Sequence, residues 1–141
     1  MLRVVLDTSI VVAALRSVSG AGNAVLREVA HGRLTPLVTP ALFLEYEAVL
    51  KRAEQRIVHG LDHDGVDRFL AALASASEAV EISFQWRPQL TDANDEMVLE
   101  TALNGRADAL ITHNVKHFAA AVARFDLRVL RPGDFLKELR S

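Results

Sequence analysis

The stretch VVLDTSI, residues 4–10, decides how the rest of the chain is read. With Leu2 and Arg3 before it, the apolar run reads as a buried strand over 2–6 that ends abruptly on Asp7. A carboxylate at the end of a buried strand is costly unless it caps a helix or meets a partner. Residues 9–16 have a helical pattern, so the strand hands the chain directly to a helix.

Working outward, the same alternation repeats. Gly20 and Gly22 interrupt the chain, and NAVLREVAHG at 23–32 reads as a short helix stopped by Gly32. TPLVT, 35–39, is a second strand. Thr39-Pro40 then opens a helix, with Thr as the cap and Pro at the first helical position. The periodicity predicts that this helix runs to Ile57, on a stripe of Leu42, Tyr46, Val49, Leu50, Ala53 and Ile57. Further helices are predicted over 62–76 and 93–104, the latter with Gly105 as its C-cap, and near 116–123 and after Pro132. VEISF at 80–84, ALIT at 109–112 and LRVL at 127–130 read as strands, and Trp86-Arg87-Pro88 breaks the first of these. Strands alternating with helices imply an α/β fold with a parallel sheet and helices on both faces. No repeat, low-complexity tract or linker divides the 141 residues, so a single domain over 1–141 is expected.

Composition narrows the class. Half the residues are hydrophobic and 24% are charged, which is ordinary for a globular chain. No segment is long and apolar enough to span a bilayer. The apolar N-terminus, broken by Asp7, lacks the basic region of a signal peptide. Without cysteine there are neither disulfides nor thiolate metal sites, and a cytoplasmic location with no membrane partner is expected. Sixteen Lys plus Arg against eighteen Asp plus Glu give a net charge of −2. A nucleic-acid partner would therefore need a local basic surface or bound cations.

In an open α/β sheet, ligands gather at the carboxyl ends of the strands. Asp7 is delivered there by the first strand, and Thr112, His113 and Asn114 by ALIT. In the helix after Pro40, Glu45 flanks the apolar stripe while Glu47 and Glu54 point away. In the helix 93–104, Val98, Leu99 and Ala102 form the buried face with Asp95 near its middle, and Glu96 and Glu100 fall on the opposite side. Asp92 either faces with Asp95 or caps that helix. Each acid alone has an ordinary reading: Asp7 and Asp92 as caps, Glu45 as a solvated group, Asp95 paired with an arginine. Together at one sheet edge they would repel and take up protons unless a divalent cation joined them. All-oxygen ligands favour Mg²⁺ or Mn²⁺, ions that bridge to phosphate oxygens and activate water.

Competing motifs are weaker. His59/His63 and His113/His117 have helical spacing but no third ligand or HExxH base for zinc. Gly20-Ala-Gly22 lacks the third glycine of a dinucleotide fingerprint, and there is no phosphate-cradling glycine loop. Arg16, Arg87, Lys116, Arg124, Arg128 and Arg131 could rim a nucleic-acid groove, or be plain surface charge. Phe84 and Trp86 could stack on bases or simply pack.

The chain resembles the PIN-domain nucleases, especially the VapC-like toxins of toxin–antitoxin pairs. The resemblance rests on VVLDTSI at 4–10, TPALFLEYEAVL at 39–50, DANDEMVLETALNGRADALITHN at 92–114 and LRVLRPGDF at 127–135. It implies a three-layer α/β/α fold with a mostly parallel sheet of four or five strands. It implies Asp7, Glu45 and Asp95 as the acids holding Mg²⁺ or Mn²⁺, with Asn114 at a fourth position and Asp92 as an extra acid. Ser9, Thr112 and His113 would be polar neighbours of the substrate. Asn114 is neutral and His117 stands where an acid is frequent, which bears on how many ions are held. The resemblance further implies hydrolysis of RNA by a metal-activated water, a homodimer, and silencing by a small antitoxin. A housekeeping nuclease of RNA processing or DNA repair, and a degenerate fold that only binds RNA or protein, are the alternatives.

Overall fold

The computed structural model describes residues 2–85 and 89–140. Strand β1 (Leu2–Leu6) runs into helix α1 (Thr8–Arg16), then α2 (Ala21–Ala30) and β2 (Leu34–Val38). Helices α3 (Pro40–Leu50), α4 (Ala53–His59) and α5 (His63–Ala76) lead to β3 (Glu78–Ala79). After it come α6 (Ala93–Gly105), β4 (Ala109–Ile111), a 3₁₀ turn (Val115–Phe118), α7 (Ala119–Phe125), β5 (Val129–Leu130) and α8 (Pro132–Arg140). Trp86 and Arg87, named above as stacking and groove residues, lie outside the described residues.

All five strands pair in parallel, in the order β3-β2-β1-β4-β5. Helices cover both faces, giving the three-layer α/β/α arrangement. β1 is central and its Val4, Val5 and Leu6 are fully enclosed, as a strand covered on both faces must be. The chain builds outward from β1 through β2 and β3, then returns to add β4 and β5 on the other side. The reversal therefore falls between β1 and β4. At such a switch point the loops after the two strands diverge and leave a crevice at their carboxyl ends.

Local chemistry sets the helix starts. Thr39 Oγ1 accepts from Leu42 N at 3.2 Å, with Pro40 opening α3. Asp92 Oδ1 accepts from Asn94 N at 2.7 Å and Asp95 N at 3.2 Å, capping α6.

Four sequence expectations are corrected. The helix after Pro40 does not reach Ile57: it ends at Leu50, and a turn at Lys51–Arg52 starts α4. Ala53 and Ile57 are accordingly exposed rather than part of the buried stripe. VEISF is not a strand. Only Val80 N reaches β2, at Val38 O (2.8 Å). The backbone N–H groups of Ser83 and Phe84 instead donate to Asn104 Oδ1 (2.8 and 2.9 Å), so a side chain of α6 takes the place of a neighbouring strand. Gly105 is not the C-cap; Arg106 is, in the left-handed conformation (φ 51°). Gly105 is the last helical residue, where a Cβ would stand 2.9 Å from Leu37 Cδ1 and Val80 Cγ2. Finally, Glu96 and Glu100 are buried, not solvated. α6 is enclosed on more than one side, by the sheet and by the segment leading into it. Glu96 Oε1 accepts from Gln89 N and Leu90 N (2.5 and 2.6 Å), so its charge is held by backbone donors.

Candidate active site

The end of β1 is fixed from two directions. Asp7 N donates to Ile111 O of β4 at 3.0 Å, which continues the ladder one residue past the strand. The buried Tyr46 of α3 donates its hydroxyl to Leu6 O at 2.5 Å, and burial, with the charge of Asp7 added, pushes that hydroxyl far above its ordinary pKa. Tyr46 therefore stays a neutral donor, and α3 is tied to the residue that precedes Asp7.

Asp7 is only 5% exposed. Its Oδ2 accepts from Thr112 Oγ1 at 2.7 Å and from Ser9 Oγ at 2.8 Å. Ser9 comes from the first turn of α1 and Thr112 from the end of β4, so the carboxylate is held across the switch point. Oδ1 makes no hydrogen bond among the described residues and remains open. The two hydroxyls also order the loop after β4. Asn114 N donates to Thr112 Oγ1 (2.9 Å) and His113 N to Ser9 Oγ (3.3 Å).

Asp95, in the first turn of α6, is the second acid of this edge. Its side chain is 13% exposed and lies 3.3 Å (Oδ2 to Nδ1) from His117 in the 3₁₀ turn. Burial, then the negative charges of Asp7 and Asp92, push the Asp95 carboxyl above the usual carboxylate range, while His117 pulls it the other way. Asp7 and Asp95 thus repel one another in a partly dehydrated crevice with no Lys or Arg ion pair to either among the described residues. Among the described residues the partner of Asp95 is thus a histidine, not the arginine that the sequence left open. Asp92 caps α6 and adds its charge to Asp95.

Glu45 is partly buried on α3, one residue before Tyr46. Asn114 and His113 are exposed at the end of β4. Among the described residues, no group of three or more His, Asp or Glu side chains closes into a metal cage. The donor set nevertheless suits a hard cation. Mg²⁺ retains most of its water and needs only one or two carboxylates from the protein. Asp7 Oδ1 is open, and the Asp7–Asp95 repulsion is the kind that a cation relieves.

The sequence marks His117 only as standing where an acid is frequent; its approach to Asp95 is set by the fold. The other histidine pair is structural. His59 Nε2 bonds Leu50 O at 2.9 Å, and His63 Nε2 bonds Arg56 at 2.8 Å. Of the basic residues, Arg128 pairs with Glu138 and Arg124 bonds Gln89 Oε1 at 3.0 Å, while Arg16, Lys116 and Arg131 are exposed. Gly22 packs on α1, where a Cβ would meet Ile10 O at 3.2 Å, so the Gly-Ala-Gly segment is a helix-packing device and not a nucleotide loop.

A search of curated proteins found no match. The family comparison matches the PIN domain over residues 3–116, a span that contains Asp7, Glu45, Asp92, Asp95, Thr112 and Asn114 and stops one residue short of His117. With most of its length covered, the chain belongs to the PIN domain family, whose members are generally metal-dependent nucleases.

Proposed function

We propose that this PIN domain is an Mg²⁺- or Mn²⁺-dependent endoribonuclease, the toxin of a toxin–antitoxin pair. The observation that carries the nuclease reading is the pair Asp7–Asp95 at the switch point of the sheet: two carboxylates whose charges act on each other across the crevice, with no Lys or Arg ion pair to either among the described residues. A carboxyl raised by burial and by neighbouring carboxylates, as that of Asp95 is, is in a crevice a mark of function more than of stability. Asp7 and Asp95 would hold the cation, with Glu45 of α3 and the neutral oxygen of Asn114 as the further ligands that the family likeness suggests, and Asp92 strengthening the local negative field. When bound, the ion supplies charge neutralisation at the scissile phosphate and lowers the pKa of water.

The chain's own groups do the positioning. Ser9 and Thr112 fix Asp7 through Oδ2 and leave Oδ1 without a hydrogen bond among the described residues. Tyr46 ties α3 to the end of β1. His113 and Asn114 are exposed on the loop after β4 and would be the first to meet a phosphodiester backbone, and Lys116 and Arg16 offer exposed positive charge against a net charge of −2. The choice of RNA, the homodimer and an antitoxin partner are supported by the likeness to VapC-like toxins in the stretches quoted above.

The test is cleavage of total RNA by the purified protein with Mg²⁺ or Mn²⁺, beside Asp7→Asn. Cleavage that needs the metal and is lost in the variant supports the reading. Equal cleavage by both proteins, or cleavage that survives EDTA, removes it. A second reading, a fold that binds RNA or protein without cutting, is favoured by one observation, the lack of a closed three-residue cage among the described residues. Failure of the protein to bind Mn²⁺ would select it.

A further inference from the structure

The geometry points to His117 as a nitrogen ligand of the cation site, one that biases the site toward Mn²⁺ over Mg²⁺. This rests on the metal-dependent reading above and adds a residue to it. Nδ1 of His117 stands 3.3 Å from Asp95 Oδ2, and the His117 side chain is 57% exposed. The ring is therefore free to turn, yet it sits against the acid at the mouth of the crevice. Adjacent donors on an octahedral ion with bonds of about 2.0–2.1 Å are about 3 Å apart. The Nδ1–Oδ2 separation is close to that edge, so one ion can be held by both groups after a small adjustment.

The backbone favours the same arrangement. His117 N donates to Asn114 O at 2.9 Å, closing one 3₁₀ turn. Residues three apart in such a turn lie one above the other. Positions 114 and 117 thus form a short column beside the N-terminus of α6. The position at 114 offers only a neutral amide oxygen. Where a carboxylate would complete an all-oxygen set, this chain presents an amide and an imidazole. Mg²⁺ prefers oxygen and water and gives up its water reluctantly, whereas Mn²⁺, though also an oxygen-binding ion, is a transition ion and tolerates an imidazole donor better. A nitrogen donor on this column raises affinity for Mn²⁺ more than for Mg²⁺. It adds no negative charge to a crevice in which Asp7 and Asp95 already repel.

The experiment loads full-length protein with Mn²⁺ alone and reads pulsed electron paramagnetic resonance for nitrogen modulation, beside calorimetric titration with Mn²⁺ and with Mg²⁺. His117→Ala and His117→Gln are compared with His113→Ala, and each variant's melting curve reports its folding. The expected result is nitrogen modulation in the wild-type protein and in His113→Ala, absent from both His117 variants. Mn²⁺ affinity should drop about 10-fold or more in those variants, with a smaller change for Mg²⁺. Bound Mn²⁺ without nitrogen modulation, or modulation that disappears in His113→Ala and not in His117→Ala, overturns the assignment while leaving the nuclease reading intact. No Mn²⁺ binding by the wild-type protein overturns both.

Discussion

The two ends of β1 lie only a few residues apart and treat charge in opposite ways. At the amino end, Arg3 donates to both carboxylate oxygens of Glu78 (3.2 and 2.5 Å), and its backbone N donates to Asp108 Oδ2 at 2.7 Å. The Arg3 guanidinium holds the Glu78 carboxyl below its ordinary range. At the carboxyl end, Asp7 receives hydroxyls in place of cations, and Asp95 faces it with its carboxyl pushed up. One edge pairs its acids with a cation of the chain; the other pairs Asp7 with hydroxyls and Asp95 with a histidine. The comparison teaches where to look for chemistry in a parallel sheet. A stability role accounts for the first edge; the second is where the proposed cation would act.

The largest effect should come from breaking the carboxyl-end edge. Asp7→Asn is expected to lower metal-dependent cleavage by well over 100-fold, since even residues that only support a ligand are worth about 10- to 100-fold. Its melting temperature without metal should stay level or rise, because a repulsive charge is removed. A parallel loss of folding and activity would mean that Asp7 is structural. Next, Thr112→Val removes one of the two hydroxyls on Asp7 Oδ2 at a fully buried position. Calorimetry should show Mn²⁺ affinity reduced about 10- to 100-fold, with the fold retained. An unchanged affinity would show that Ser9 suffices.

The two edges should also respond to pH with opposite signs. Asp95 has a raised folded-state pKa. The stability it contributes is present below its unfolded pKa and is lost as pH rises through the raised folded value. Glu78 has a lowered one. Its contribution is present above its unfolded pKa and is lost as pH falls through the folded value. Metal-free melting curves from acid to neutral pH should therefore gain stability on the rising side in Asp95→Asn and lose it in Glu78→Gln. Added Mn²⁺ should erase the Asp95 difference. Identical profiles for the two variants would dissolve the contrast. The smallest effect is expected from Glu78→Gln in high salt. The Arg3–Glu78 pair is exposed and screened, so its melting deficit should fade and cleavage should not change.

Much of this was legible from short-range patterns. The apolar run before Asp7, the Thr39-Pro40 start and the Asp92 cap are local devices, and each is found where the sequence places it. What was not legible depended on distant packing. Nothing at Lys51–Arg52 breaks a helix, so the separation of α3 from α4 comes from the surroundings. VEISF alternates like a strand, but Asn104, twenty residues on, claims its backbone. Glu96 and Glu100 look solvated on a helical wheel that assumes one buried face, whereas α6 is covered on more than one. The approach of His117 to Asp95 joins two elements across β4, and no spacing rule within either element announces it.

Gly105 gives α6 a mechanical meaning. A methyl there would collide with Leu37 and Val80, so the helix rests flush on β2 at its C-terminal end. Ten residues earlier, about 15 Å along the axis, the same rigid rod carries Asp95. A wedge at the far end acts as a lever: Gly105→Ala should tilt Asp95 relative to Asp7 and weaken Mn²⁺ binding in titration, without altering any group that faces the crevice. Unchanged binding in that variant would show the rod to be pinned closer to Asp95.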